Sequence, residues 1–260
     1  METGVEAVPR AGAIEILPIT RADILACLAA GWRDLRTAPA FGLTIGALHA
    51  AGGWAAVAFA TFTGLHYFTY PFLTGFALVA PFMASALYEV SRRLELGEPL
   101  TWRAVLRNVQ AGGGRDLGWM CLVTLFSFIL WIDYSFFLYL IFYGAHMPDP
   151  GAFLREVLTT PKGLAFILAS NGVGAAIAFF VFSITVVSMP LLLDRDVDFV
   201  TAMVTSVRAV QKNPGALVFW AFIIAALLFL GLASALVGLI VVLPLLGHAS
   251  WHVYRKLVKA

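Results

Sequence analysis

Charged residues are scarce in this 260-residue chain. Only 12% of its residues are Asp, Glu, Lys or Arg, 61% are hydrophobic, and the mean hydropathy is +0.89. A soluble domain carries about 25% charged and about 45–50% apolar residues. The composition therefore excludes an ordinary soluble domain and indicates a polytopic membrane protein.

Cysteine and recognisable catalytic motifs are also nearly absent. Cys27 and Cys121 are the only cysteines, which excludes a disulfide framework and a CxxC metal site. The glycine-rich stretch Ala111–Asp116 lacks the lysine and Ser/Thr of a phosphate-binding loop, and predicts a hinge before a membrane span instead.

With no acid/base pair or nucleophile constellation in the sequence, we expect neither an enzyme nor a cofactor. The net charge of +2 gives no reason to expect nucleic acid.

The N-terminus does not have the pattern of a targeting sequence. It carries two acids before its first arginine and no continuous apolar core, so it is not a cleavable signal peptide. We expect a disordered leader over residues 1–19 and a single membrane domain over residues 20–260.

Long apolar runs are what the chain does have. A bilayer core about 30 Å thick is crossed by roughly 20 apolar residues of helix. Four runs meet this length: Phe41–Phe62, Pro71–Val90, Leu117–Tyr143 and Gly163–Leu193.

A fifth run, Gly215–Trp251, carries no charged residue. As one helix it would be about 55 Å long, more than tilting absorbs. We predict two short spans instead, about Ala216–Gly231 and Ser234–Tyr254, joined at a Gly-Leu-Ala-Ser turn. The total is then six transmembrane helices.

The distribution of basic residues supports an even number of spans. Six spans place all but Arg155 and Lys162 of the 17 basic residues on one side, together with both termini. By the positive-inside rule that side is cytoplasmic. We therefore expect a multi-pass protein of the bacterial inner membrane with both termini in the cytoplasm.

A basic heptapeptide recurs in front of the odd-numbered spans. It reads WRAVLRN at Trp102–Asn108 and VRAVQKN at Val207–Asn213, with a looser copy from Trp32. Apolar residues at helical spacing predict amphipathic helices that lie in the lipid headgroup region. The first begins at Thr20, with Asp23 completing a capping-box pattern. Asp198 is expected to cap the third. The residues expected to contact headgroups or a partner are Arg33, Arg36, Arg92, Arg93, Arg103, Arg107, Arg208, Lys212, Arg255 and Lys256.

The even-numbered spans also repeat. PFMASALYEVSRRL from Pro81 aligns in register with PLLGHASWHVYRKL from Pro244. Together these patterns predict an all-α helix bundle whose six spans form three pseudo-repeated hairpins, each preceded by an amphipathic interfacial helix. The repeats cover approximately residues 20–94, 98–193 and 198–257.

Several of these stretches resemble a known family. GWRDL followed by Pro39, LTGFALVAPFMASALYEVSRRLELGE, SMPLLLDRDVDFVTAMVTSVRAVQKNP and GLIVVLPLLGHASWHVYRKL look like domain-of-unknown-function family 2189 of predicted integral membrane proteins. The resemblance runs from about Pro18 to the C-terminus. It implies an inner-membrane location and leaves the activity open.

A few polar residues within the spans are candidates for chemistry. His248 and His252 share one helix face and could hold a metal ion with His49 as a third ligand; hydrogen bonding between helices is the alternative. Asp133 and Asn171 could form a proton or cation relay. Asp133 also suits the membrane boundary, where it needs no special role.

Two functions follow from these expectations. The first is a non-catalytic scaffold or accessory component that binds the lipid bilayer and other membrane proteins. The alternative is a small-solute or lipid transporter, based on the pseudo-repeats and the polar residues in the spans.

Overall fold

The computed structural model describes residues 14–64, 69, 73, 80–145 and 149–259. These residues form ten α-helices: α1 (Arg21–Thr37), α2 (Pro39–Phe62), α3 (Ala80–Leu96), α4 (Trp102–Tyr143), α5 (Pro150–Thr159), α6 (Pro161–Thr185), α7 (Ser188–Asp194), α8 (Phe199–Lys212), α9 (Pro214–Ala233) and α10 (Leu239–Leu257). The all-helical prediction is confirmed.

Four helical stretches within the described residues are long and apolar enough to cross a membrane. They are Pro39–Phe62, Asp116–Tyr143, Pro161–Asp194 and Pro214–Ala233. All four match predicted spans closely. Most of the run Pro71–Val90 lies outside the described residues, which resume at Ala80.

The last apolar run is divided in two, as predicted. Helix α9 ends at Ala233 and α10 starts at Leu239. The break falls slightly after the expected turn, at Ala235 and Leu236, which have φ of 54° and 69°. The Ser234 hydroxyl donates to the Gly231 carbonyl and accepts from Gly238 N–H, both at 2.7 Å. Such bonds matter in an apolar hairpin, where exposed backbone groups would go unpaired.

Two predicted helix starts are confirmed by their caps. Thr20 and Asp23 form the capping box of α1. The Asp198 side chain accepts from Thr201 N–H at 2.9 Å at the start of α8, and hydrogen bonds from the side chain and the backbone of Thr201 lower the pKa of Asp198. Helix α5 is also capped by an aspartate, since the Asp149 side chain accepts from Gly151 N–H and Ala152 N–H.

The predicted hinge at Ala111–Asp116 is wrong. Helix α4 continues through this stretch for 42 residues without a break. Glycine costs only about 1 kcal/mol in a helix interior, far less than proline. Val105 and Met120, one on each side of the glycines, are both fully buried, so packing holds both halves of the helix.

A proline does interrupt the next span. The helix stops at Thr185 and resumes at Ser188. Pro190 has no N–H to donate to the residue four before it. The N–H of Val187 is satisfied instead by the Ser206 hydroxyl of α8, at 3.1 Å.

The chain divides into two compact units. The first comprises Met1–Gly52, Ala80–Leu122 and Phe182–Ala260, and the second comprises Gly53–Val79 and Val123–Val181. The second unit has an aromatic cluster, in which Tyr143 packs against Phe153 and Phe166 with ring centroids 5.1 and 5.3 Å away. Lys162 Nζ lies 4.2 Å from the Tyr143 ring centroid.

Helix α10 lies at the centre of the first unit. It packs against α1, α3, α7 and α9, and glycines allow close approach. A Cβ on Gly31 of α1 would come within 2.5 Å of the Ala249 backbone nitrogen, and one on Gly247 within 2.5 Å of the Leu87 side chain. A Cβ on Gly46 of α2 would collide with the Ile240 carbonyl oxygen.

Residues 14–19 differ from the expected disordered leader, whose first 13 residues lie outside the described part. Ile16 forms an antiparallel bridge with Val258, and both side chains are buried. The folded chain therefore begins before residue 20, because these apolar side chains complete the core beside the end of α10.

Candidate functional site

A hydrogen-bonded network connects three helices of the first unit. Ser91 of α3 donates to Asp34 Oδ2 of α1 at 2.7 Å, and its oxygen lies 2.8 Å from His248 Nδ1 of α10. His252 Nε2 lies 2.8 Å from the same Asp34 oxygen. We call these four residues the Asp34 network.

Asp34 is held in its ionised form within this network. Burial disfavours the carboxylate, but the hydrogen bonds from His252 and Ser91 outweigh it, so the pKa of Asp34 lies below the usual value. The ionised Asp34 side chain therefore stabilises the fold at pH values above the ordinary carboxyl pKa. This stabilisation is lost as the pH falls through the lowered pKa of Asp34.

A second network surrounds Glu89 of α3. Its side chain is 0% exposed, and it pairs with Arg92 Nε at 2.8 Å and Arg93 Nε at 2.6 Å. The Asn108 amide of α4 donates to it at 2.7 Å. Glu98 contacts both arginines as well, at 3.6 and 3.1 Å. These arginines therefore neutralise a buried carboxylate.

The C-terminal end of α10 is paired in the same way. Arg255 Nη2 lies 3.0 Å from Glu95 Oε1, and its Nη1 lies 3.7 Å from Asp194 Oδ2. Trp251 Nε1 donates to Glu95 at 3.0 Å, and the Tyr254 hydroxyl donates to Asp194 at 2.6 Å. Side chains from α3 and α7 thereby fix this end of the helix.

The N-terminal segment is attached to the end of α8. The buried Asn213 side chain accepts from Ile19 N–H at 2.8 Å and donates to the Leu17 carbonyl at 3.1 Å. Lys212 Nζ donates to the Ile16 carbonyl at 2.7 Å. At the other edge, the hydrogen bond between Lys259 and Glu15 lowers the pKa of Glu15 and raises that of Lys259.

The ten basic residues expected to bind headgroups thus fall into two groups. Those with protein partners are Arg92, Arg93, Arg208, Lys212, Arg255 and Lys256, the last lying 3.8 Å from Asp23. Arg33, Arg36, Arg103 and Arg107 are exposed and form no ion pair within the described residues. We call these four the free arginines.

Aromatic side chains accompany the free arginines. Trp32 precedes Arg33 and is 45% exposed, and Trp102 precedes Arg103 and is 39% exposed. The Trp102 ring lies 4.4 Å, centroid to centroid, from Phe41 at the start of α2. Exposed tryptophans beside arginines at the ends of apolar helices are typical of a membrane interface.

The structure does not assemble the three-histidine metal site. His248 and His252 bind Ser91 and Asp34 instead, and His49 is buried in α2. Across the described ranges, no group of three or more His, Cys, Asp or Glu side chains is placed to hold a metal ion. His248 and His252 thus take part in hydrogen bonding between helices, which was the alternative interpretation of this pair.

The two proposed relay residues are both exposed. Asp133 makes no hydrogen bond or ion pair in the part of the chain that the structure describes. The Asn171 amide donates to the Ile167 carbonyl of its own helix at 2.9 Å. The structure therefore does not bring them together in a buried path.

Asp34, Ser91 and Glu89 were not predicted as site residues. Helical spacing places each of them beside apolar residues of its own helix. Ser91, for example, lies four residues after Leu87 and three after Tyr88, on the same helix face. A polar residue on the apolar face of an amphipathic helix was the available signal, since a buried polar group needs a partner.

A comparison with known protein families matches residues 69–194, just under half of the chain, to a family described as predicted integral membrane protein, DUF2189. No curated protein and no solved structure matches the chain. The matched range includes the motif Leu73–Glu98, one of those on which the resemblance was based. Residues 69–194 are therefore similar to this family of predicted integral membrane proteins, in agreement with the resemblance seen in the sequence.

Proposed function

We propose that this protein is a non-catalytic scaffold or accessory component of the bacterial inner membrane, whose free arginines bind anionic lipid headgroups. The observation that carries the proposal is the contrast between these four arginines and the paired ones around them. Arginines that only stabilise the fold, such as Arg92, Arg93 and Arg255, all have acidic partners.

The proposed topology has six spans, arranged as three pseudo-repeated hairpins. Besides the four candidate spans, it counts residues 71–90 and α10. Helix α10 is less apolar than the others, but it is enclosed by neighbouring helices. A helix surrounded by protein can carry polar side chains in a membrane because they face partners rather than lipid.

An even number of crossings is supported by the chain ends. Leu17 N–H donates to the Leu257 carbonyl at 2.7 Å, and Lys259 N–H donates to the Glu15 carbonyl at 3.2 Å. Segments paired in this way lie on the same side of the membrane. The excess of basic residues there favours the cytoplasmic side.

The free arginines suit phosphate groups. Arg33 and Arg36 lie on α1 directly before span α2, and Arg103 and Arg107 lie at the start of α4. Ala38, Val90 and Val105 form one buried cluster with Phe41 packed against it, which joins the end of α1 to the start of α4. Basic residues near an anionic surface contribute about 1 kcal/mol each to attraction.

The experiment compares thermal unfolding of the detergent-solubilised protein with added phosphatidylglycerol or phosphatidylcholine. We expect the anionic lipid to raise the apparent Tm of the wild type, and R33Q/R36Q/R103Q/R107Q to lose most of this increase. The double variant R155Q/K162Q, which removes basic residues from the other predicted side, is the control and should respond like the wild type. An unchanged response in the quadruple variant would refute headgroup binding.

The accessory role itself needs a partner. Mild detergent extraction from the native membrane should yield a stable complex that contains this chain, and free monomer alone would argue against the role.

We do not propose the transporter alternative, because Asp133 and Asn171 are both exposed in the described structure. Solute counterflow abolished by D133N would restore it.

A further inference from the structure

The Asp34 network has a defined direction of hydrogen bonding. An ionised carboxylate only accepts hydrogen bonds, so Ser91 gives its single hydroxyl proton to Asp34. The Ser91 oxygen must then accept from the ring nitrogen 2.8 Å away, which is His248 Nδ1. His248 therefore carries its proton on Nδ1.

The other nitrogen of this imidazole is left without a partner. His248 is 0% exposed, and its Nε2 makes no hydrogen bond within the described residues. It lies beside α2, where a Cβ on Gly42 would be 3.7 Å away. A protonated Nε2 would be a buried donor without an acceptor, which costs more than an unoccupied lone pair on a neutral ring.

The other charged groups near α10 are already matched. Each acidic side chain facing it from α1, α3 or α7 has a basic partner, and α9 carries no ionisable side chain. The pairs are Asp23 with Lys256, Glu89 with Arg92 and Arg93, Glu95 with Arg255, and Asp194 with Arg255; His49 is the ionisable residue of α2. Asp34 differs, because its partners are a serine and a histidine.

We propose that the Asp34 network is an internal proton-binding site with two states. In the first state Asp34 is ionised and His248 carries its proton on Nδ1. In the second, Nε2 has taken a proton from water or hydronium, the Nδ1 proton has moved to Ser91 Oγ, and the Ser91 proton has moved to Asp34 Oδ2. Each of the three acceptors gains one bond to hydrogen as its donor loses one.

This exchange takes up one proton without creating a buried cation. The second state contains a neutral carboxylic acid, a neutral serine and a neutral imidazole, and the hydrogen bonds run in the opposite direction. The Nε2–H of the second state is a buried donor without an acceptor, which is why the first state is favoured at neutral pH. Direct protonation to an imidazolium would leave the same unpaired donor and add a buried charge, which is more unfavourable. His252 donates to Asp34 in both states and, being partly exposed, brings the Asp34 end of the network next to water.

The same network fixes helix packing, because its members come from α1, α3 and α10. Proton uptake therefore changes the contacts between these helices from charge-assisted to neutral hydrogen bonds, which are about half as strong. The site gives the first unit a response to pH that is independent of headgroup binding. Loss of the lipid response in the arginine variants would leave this inference untouched.

The test is a pH titration of the full-length protein with ¹⁵N-labelled histidine, observed by NMR, with His248 assigned from its missing signals in H248Q. At neutral pH we expect the proton on Nδ1. On acidification it should move to Nε2, with a carboxylic acid C=O stretch appearing in the infrared spectrum at the same midpoint and absent from D34N. A proton on Nε2 at neutral pH, or a direct change to imidazolium, would overturn the proposal.

Substitutions separate a proton chain from simple packing. S91A breaks the connection, so the His248 tautomer and Asp34 protonation should no longer change at one midpoint. The control is S127A, since Ser127 is buried but donates only to the Val123 carbonyl of its own helix; it should titrate like the wild type. An unaltered tautomer switch in S91A would contradict the proposal, and the wild-type titration decides it if S91A does not fold.

Discussion

Leu17 and Leu257 join the two ends of the folded chain through a backbone hydrogen bond of 2.7 Å. Ile16 and Val258 pair beside it, so two segments that lie 240 positions apart in the sequence (257 − 17) meet at this point. In a membrane protein this pairing constrains the number of crossings, because an odd number would separate the two ends by the bilayer.

The first prediction concerns Asn213, which holds the N-terminal segment in place. N213A leaves the Ile19 N–H and the Leu17 carbonyl without their partner, and a buried unpaired group costs about 1–3 kcal/mol. We expect faster proteolysis within residues 14–19, measured by mass spectrometry of limited digests. Q211A, an exposed change two residues earlier on α8, is the control, and equal digestion rates of the two variants would contradict the prediction.

The second prediction concerns the buried carboxylate Glu89. E89Q keeps the shape of the side chain but leaves Arg92 and Arg93 with Glu98 alone, and breaking a buried ion pair costs about 3 kcal/mol or more. E98Q removes a partly exposed partner and should cost less than about 1 kcal/mol. Denaturant unfolding in detergent measures both, and equal stability losses would show that Glu89 is not the centre of this network.

The third prediction concerns the contact between α2 and α10. A Cβ on Gly46 would collide with the Ile240 backbone, so G46A should lower the free energy of unfolding by about 1–3 kcal/mol. The matched change G172A adds a methyl group in α6 where nothing lies within 4 Å. It should be neutral or stabilise by about 0.5–1 kcal/mol. A stable G46A variant would mean that the two helices are farther apart than described.

The fourth prediction concerns Cys27 on α1. Burial raises the pKa of this thiol from 9.0 to about 11, and the thiolate is the reactive form. At neutral pH, maleimide should label Cys27 of a C121A variant about 100-fold more slowly in the folded protein than in the unfolded one, since two pKa units correspond to that factor. The rate should rise with pH. Labelling of the folded protein at the unfolded rate would place Cys27 outside the core.

Periodicity and end signals in the sequence predicted most helices but not their continuity. The capping box at Thr20, the aspartate cap at Asp198 and the division after Ala233 are local features, and each is present. The glycines at residues 112–114 are local features too, yet α4 continues through them. There the burial of Val105 and Met120, on either side of the glycines, outweighs the weak preference of glycine against helix.

The candidate site was less accessible from the sequence. The ten basic residues all suited a membrane surface by composition and position. Glu89 precedes Arg92 by three residues, a spacing that already allows a pair on one helix. Only the tertiary structure shows that Glu89 is buried and that Arg103 has no acidic partner among the described residues. His248 and His252 were recognised as a pair on one face, but their partners are distant in the chain: Ser91 is 157 residues from His248, and Asp34 is 218 residues from His252.

The central claim is that the free arginines and both chain ends lie together on the cytoplasmic side of the membrane. The direct test is sided labelling of single cysteines in a C27A/C121A background, placed at R33C, R103C and K259C, in right-side-out and inverted vesicles. The account predicts that a membrane-impermeant maleimide labels all three in inverted vesicles only. Labelling of K259C from the side opposite to R33C would contradict it.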